Sequence, residues 1–288
     1  MELTEAFEAE RTKLEAVAYR LLGSHTEAED AVQEAWIRLG RADHIDNLGG
    51  WLRTVVTRIC LDMLRGRKIR PVADPDDLDQ TPTVRRTPEE EALVADSVSR
   101  ALLVVLDTLE PAERIAFVLH DMFAVPFAQI APIVERNPVT TKKLASRARQ
   151  KVQGTPSVPN GELSRQRRVV SAFLDAARAG DLQAILAVLD PDVVRRVDAA
   201  VLSPGMSAEL RGARAVAEGT AALAARSQLA ELALVNGEVG VVLAPQGKLL
   251  LALTFTFTGE ADRIMSYDVV ADPDRLSRLS LAVLSAER

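Results

Sequence analysis

The chain has 288 residues, a net charge of −6, 48% hydrophobic and 26% charged residues, and one cysteine, Cys60. That length suits two or three domains, and a lone cysteine excludes an intramolecular disulfide framework and fits a reducing compartment. Met1–Glu8 lack the basic and apolar runs of a secretory signal and no apolar stretch is long enough to span a bilayer, so a cytoplasmic protein without membrane contact is expected.

In chain order, Leu14, Val17, Ala18, Leu21 and Leu22 form the apolar stripe of a first helix that Gly23 ends. Thr26 and Glu29 have capping-box spacing for a second helix, with Ala31, Val32, Ala35, Trp36 and Leu39 on its buried face. A third helix starts near Gly50. It sets Trp51, Val55, Val56, Ile59, Cys60, Met63 and Leu64 against an opposite face of Arg53, Thr54, Thr57, Arg58, Leu61 and Arg65. Its end, Arg65–Arg70, is more basic than a helix dipole requires. Both tryptophans lie on apolar stripes and are assigned to the core. Residues 71–94, rich in Asp, Glu and Pro, read as an acidic, extended linker.

Helices resume at about Ala92, with Leu102, Leu103, Leu106 and Leu109, followed by Ala112–Asp121. Phe127, Ile130, Ala131 and Val134 mark a short helix that Pro132 should shorten or bend, because proline removes a backbone donor. Glu135-Arg136-Asn137 then turns the chain into a second helix with Asn137 as N-cap, Pro138 as first residue and Leu144, Ala148 and Val152 as its buried stripe. Residues 137–152 hold five basic side chains and no acidic one, in a chain that is acidic overall. This reads as a helix-turn-helix whose second helix faces DNA through Thr140, Thr141, Lys142, Lys143, Ser146, Arg147 and Arg149. Lys151 is expected on that open face as well. The negative net charge requires such binding to be local or helped by a partner.

After a Pro- and Gly-containing break at 154–163, residues 164–288 change character. A helix carrying Val169, Val170, Phe173, Leu174 and Ala177 and a short helix to Leu189 precede strand-like alternation through Leu249–Thr258. Turns are expected at Asn236-Gly237, Pro245-Gln246-Gly247 and Gly259-Glu260, giving an α+β domain with an antiparallel sheet.

These residues carry a resemblance. Ala28–Leu39 is similar to the helix by which bacterial extracytoplasmic-function (ECF) sigma factors grip the polymerase core, and Gly50–Arg65 to the element that melts −10 DNA. Leu109–Val152 resembles region 4, which reads the −35 element, and Phe173–Val193 resembles, more weakly, a SnoaL-like cone. The resemblance implies region 2 at 1–70, a linker at 71–94, region 4 at 95–153, a second linker at 154–163 and a SnoaL-like regulatory domain at 164–288. It implies core-polymerase contacts at Glu29, Asp30, Glu34 and Arg38, and −10 contacts at Arg53, Thr57, Arg58, Asp62 and Arg65. It also points to Asp198, Asp272, Pro273, Asp274 and Arg275 in the regulatory domain. There, Asp272–Leu276 fits the closing motif of the sigma subgroup with this extension, while Asp198-Ala199-Ala200 stands where the subgroup has an Asp and glycine run.

The implied function is an alternative sigma factor, not an enzyme, that binds core RNA polymerase and promoter DNA. Its C-terminal domain would contact the sigma domains intramolecularly and modulate them. A rival reading is an isomerase or cyclase built in the cone. It is disfavoured because Asp190, Asp198, Asp268, Tyr267 and Arg263 are not paired by spacing, and no histidine follows His120. A small-molecule ligand of the cone is an alternative to a core filled by its own side chains. A DNA-binding regulator that never meets polymerase would leave the first helical domain without a role. His25, His44 and His120 are scattered, so no metal is expected, nor any cofactor.

Overall fold

A computed structural model describes residues 3–42, 45–67, 100–202, 207–259 and 263–284; the acidic linker and His44 lie outside the described residues. The chain divides into two compact units, residues 1–73 with 106–151 and residues 74–105 with 152–288.

The first unit is helical. Helices α1 (Leu3–Leu22), α2 (His25–Leu39) and α3 (Leu48–Arg67) pack on one another, with Leu14, Val17, Ala18 and Leu21 at most 3% exposed. Gly23, at φ 75°, closes α1 in the left-handed conformation that glycine adopts without Cβ strain. The cap of α2 is Ser24, two residues ahead of the expected Thr26; its hydroxyl accepts the Glu27 N–H at 3.4 Å. Ser24-x-x-Glu27 has the same capping-box spacing, and the helix begins as soon as Gly23 has turned the chain. Asn47 caps α3 by accepting the Gly50 N–H at 2.9 Å. Leu61, expected on the polar face of α3, is buried at 3% exposure. Packing of α3 against more than one neighbour widens its apolar face beyond a single stripe.

Helix α4 (Arg100–Asp107), whose residues 100–105 belong to the second unit, leads to α5 (Pro111–Phe117), which runs on into one π-type turn, Val118–Met122. Helix α6 is only Phe127–Ile130, as Pro132 requires, and Glu135, at φ 56°, turns the chain into α7 (Pro138–Gln153). Within this unit Arg114, 5% exposed, reaches from α5 to donate to the Leu21 carbonyl at 2.9 Å and to Asp107 at 2.8 Å. Burial lowers the pKa of that guanidinium, and the Asp107 carboxylate opposes the shift.

The second unit is α+β. Helices α8 (Asn160–Ala179) and α9 (Leu182–Val188) precede β1 (Leu189–Val197), β2 (Glu209–Arg211), α10 (Ala213–Ala221) and α11 (Ala224–Ser227). Then come β3 (Ala230–Val235), β4 (Glu238–Leu243), β5 (Leu251–Phe257), β6 (Ile264–Val270), the short α12 (Pro273–Ser277) and β7 (Leu281–Ala282). The strand order is β2-β1-β6-β5-β4-β3-β7. The sheet is mixed and not wholly antiparallel as expected, because β1 pairs with β6 in parallel. A parallel pair cannot be closed by a hairpin, and here α10, α11 and four intervening strands, β2 to β5, separate the two in the chain. The first two expected turns fall where β3, β4 and β5 reverse, with Asn236 (φ 53°) and Gly237 (φ 86°) both left-handed, as a two-residue hairpin demands, while Glu260 of the third lies outside the described residues. Helix α8 starts at Asn160, within the stretch expected as linker, and the Ser157 N–H just before it donates to the Gly237 carbonyl at 2.8 Å.

Candidate nucleic-acid interface

The local sequence makes α7 a rigid platform. Asn137 accepts the Thr140 N–H at 2.8 Å, and Thr141, fully buried, donates its hydroxyl to the Asn137 carbonyl at 3.0 Å. Ala145, Ala148 and Val152 bury the inner face, so Lys142, Lys143, Ser146 and Arg147 stand exposed together on the outer one. Thr140 is half-buried beside them. Three expected contacts are otherwise engaged. Thr141 faces the core, the Arg149 Nε donates to Asp121 at 2.8 Å, and Lys151 pairs with the buried Glu113 at 2.7 Å. Lys142, Lys143 and Arg147 carry no ion pair among the described residues.

On α3 the structure gathers Arg58, Asp62 and Arg65 on one exposed face. Arg65 lies 4.0 Å from Asp62 and 3.8 Å from Glu135, both solvent-exposed pairs of little energetic weight. Two other candidates do not join them. Thr57 is fully buried and donates to the Arg53 carbonyl at 2.7 Å, a bond within its own helix. Arg53 instead borders a recess of about 150 Å³ shared with Glu10, Lys13, Leu14, Val17 and Phe123.

On α2, Glu29 and Asp30 are exposed, and Glu34 and Arg38 form an i,i+4 ion pair at 2.8 Å on the open side of the helix. Trp36 is half-buried and packs its ring on Phe7, with centroids 4.7 Å apart, consistent with a core role. Ile37, 45% exposed among these charges, was missed in the sequence; an apolar residue off the buried stripe was the signal.

In the C-terminal domain, Asp198, Asp272 and Arg275 come together. The Ala271 and Asp272 N–H groups donate to Asp198 Oδ2 at 2.9 and 3.0 Å, Arg275 pairs with Oδ1, and Asp272 caps α12 by accepting the Arg275 N–H at 2.9 Å. Partial burial pushes the Asp198 carboxyl up. The two N–H donors and Arg275 outweigh it and hold the group below the ordinary carboxylate range. Pro273 and Asp274 occupy the exposed first turn of α12. The interior is filled by Phe173, Phe255 and Tyr267, with ring centroids 5.4 to 5.7 Å apart, and the Tyr267 hydroxyl meets that of Thr220 at 2.8 Å. The polar groups of the rival enzyme reading do not converge. Asp190 accepts the Asp192 N–H, Asp268 faces Arg196 at 3.7 Å, and Asp198 is bound to Arg275.

Two family profiles match this chain, Sigma-70 region 2 over residues 6–69 and Sigma-70, region 4 over residues 99–152. The ECF RNA polymerase sigma factor SigJ of Mycobacterium tuberculosis is 38% identical over 260 residues, covering 85% of this chain and 81% of the relative. The chain belongs to the ECF RNA polymerase sigma factors. A probable sigma factor of this kind from the same organism, SigI, is 39% identical over 201 residues, covering 67% of this chain and 69% of the relative. Among solved structures, the crystal structure of SigJ aligns over 96% of this chain and 98% of its own at 32% identity, with a TM-score of 0.48. Sigma factors are not enzymes; they bind core RNA polymerase and promoter DNA. The helix-turn-helix around α7 therefore lies in region 4, and the charged faces of α2 and α3 lie in region 2. No helix among the described residues of this sigma factor is long and apolar enough to cross a membrane.

Proposed function

We propose that this sigma factor engages core polymerase through the Glu29, Asp30, Glu34 and Arg38 face of α2. It contacts −10 DNA through Arg58, Asp62 and Arg65, and −35 DNA through Thr140, Lys142, Lys143, Ser146 and Arg147. The observation that carries this reading is the exposed basic face of α7, set on a capped helix whose other face buries Thr141, Ala145 and Ala148. Lysine and arginine there supply the phosphate contacts that fix register on the duplex, and Arg147 can donate a bidentate pair to a guanine edge. The protein makes no bond in this role; it lowers the cost of opening one duplex relative to others.

The C-terminal domain modulates this activity in our reading. Support comes from α4, the helix near the start of the region 4 match. Its Ala101 N–H donates to the Glu231 carboxylate of β3 at 3.0 Å, and Arg100 lies 3.7 Å from the same group.

The test is promoter-specific initiation in vitro, with bacterial core polymerase and the full chain on genomic fragments. Lys143→Ala combined with Arg147→Ala should abolish −35-dependent initiation and leave core binding intact; loss of core binding would show the interface to be misplaced. Glu231→Ala should change the initiation rate at unchanged core binding. An identical rate would remove the modulating role of that contact.

A further inference from the structure

Val139 is the most exposed large apolar side chain among the described residues, at 68%. It sits in the first turn of α7, the end of a recognition helix that approaches base edges. At 3.6 residues per turn, Lys142, Lys143, Ser146, Arg147 and Gln150 spread over an arc of roughly 140°, and Val139 falls within it, roughly opposite the buried Ala148. An isopropyl group therefore stands amid the basic face proposed to meet DNA. Neighbouring constraints hold it there. Asn137 pins the turn through the Thr140 N–H, Thr141 is locked into the core, and a β-branched side chain in a helix has essentially one χ1 rotamer.

The major groove presents donors, acceptors and one apolar group, the C5-methyl of thymine. We propose that Val139 is a specificity-determining residue that packs on a thymine methyl in the upstream promoter element, while Lys142, Lys143 and Arg147 hold the helix in the groove. This rests on the reading of α7 as the −35 helix. It adds a thymine requirement at one position that charged side chains alone would not impose. Burying one methyl group against the valine is worth about a three- to fivefold preference for thymine over the same base without its methyl.

Deoxyuridine supplies the test, because it keeps every hydrogen bond of thymine and removes only the methyl. Each thymine of the upstream element, in a promoter from which the holoenzyme initiates, is replaced in turn by deoxyuridine, and binding and initiation are measured with full-length wild-type chain and with V139S. The wild type should lose about three- to fivefold at one position, and V139S should bind thymine and uracil there equally. Indifference of the wild type to every replacement overturns the proposal whatever V139S does, and so does a V139S protein that keeps the full penalty. Failure of the wild-type holoenzyme to initiate from any promoter would instead remove the reading of α7, and this proposal with it.

Discussion

Asp198→Ala offers a sharp test of how the C-terminal domain is closed. The carboxylate, 12% exposed, takes two backbone N–H groups on a single oxygen, Oδ2, and Arg275 on the other. Truncation leaves the N–H of Ala271, a buried residue, without a partner, at about 1–3 kcal/mol. The Asp272 N–H, closer to solvent, costs about 0.5–1.5 kcal/mol, and the half-exposed Arg275 pair about 0–1 kcal/mol. Together these come to about 1.5–5.5 kcal/mol. Asn at this position retains one carbonyl oxygen, which can serve both N–H groups, so Asp198→Asn should cost only about 1 kcal/mol. The assay is urea unfolding of the full chain with two probes. Both tryptophans, Trp36 and Trp51, lie in the first unit, so their fluorescence reports that unit, whereas far-UV circular dichroism reports both. The Ala variant should advance the dichroism transition and leave the fluorescence transition in place. Equal effects of Ala and Asn, or a shift seen by tryptophan alone, would refute the reasoning. The pH dependence has a definite sign. A carboxyl whose folded pKa is depressed contributes its stabilisation above the ordinary carboxylate range, and the contribution disappears as pH falls through that range toward the lower folded value. The gap between wild type and Asp198→Asn should accordingly close on acidification.

Two further predictions concern the first unit. Burial pushes the Cys60 thiol up to about 12, so a disulfide reagent at pH 8 should label the native chain only as this unit opens, at a urea concentration matching the tryptophan transition; rapid labelling without urea would contradict the burial. Arg114 holds the Leu21 carbonyl and Asp107, yet its buried Nε has no hydrogen-bond partner among the described residues. Arg114→Met, which refills the volume, should therefore destabilise by about 1–2 kcal/mol and Arg114→Ala by about 3–4 kcal/mol, read from tryptophan-monitored unfolding; equal losses would show that the polar contacts and not the packing dominate.

Much of the architecture follows from local chemistry. Helical periodicity and Gly23 define α1, Asn137 and Pro138 define the start of α7, Pro132 shortens α6, and Asn236-Gly237 makes the β3–β4 hairpin, because each depends on dihedrals or donors within a few residues. The basic run of α7 is likewise visible in the chain, since a cluster of like charges on a periodic helix has one open face. What the sequence left undecided depends on contacts across tens of residues. Thr57 and Thr141 look like polar surface groups, but helix packing buries them and their hydroxyls turn back to their own helices. Arg149 and Lys151 look as available as Lys143 until folding brings Asp121 and Glu113 beside them. The β1–β6 pairing leaves no local mark because parallel neighbours are joined through a distant crossover. Asp198 meets Arg275 only because that sheet sets their strand ends side by side. By itself the sequence determines which segments become helices and strands and where a basic face exists. Tertiary structure alone decides which charges on that face stay unpaired, because pairing is a matter of distance in space and not of order along the chain.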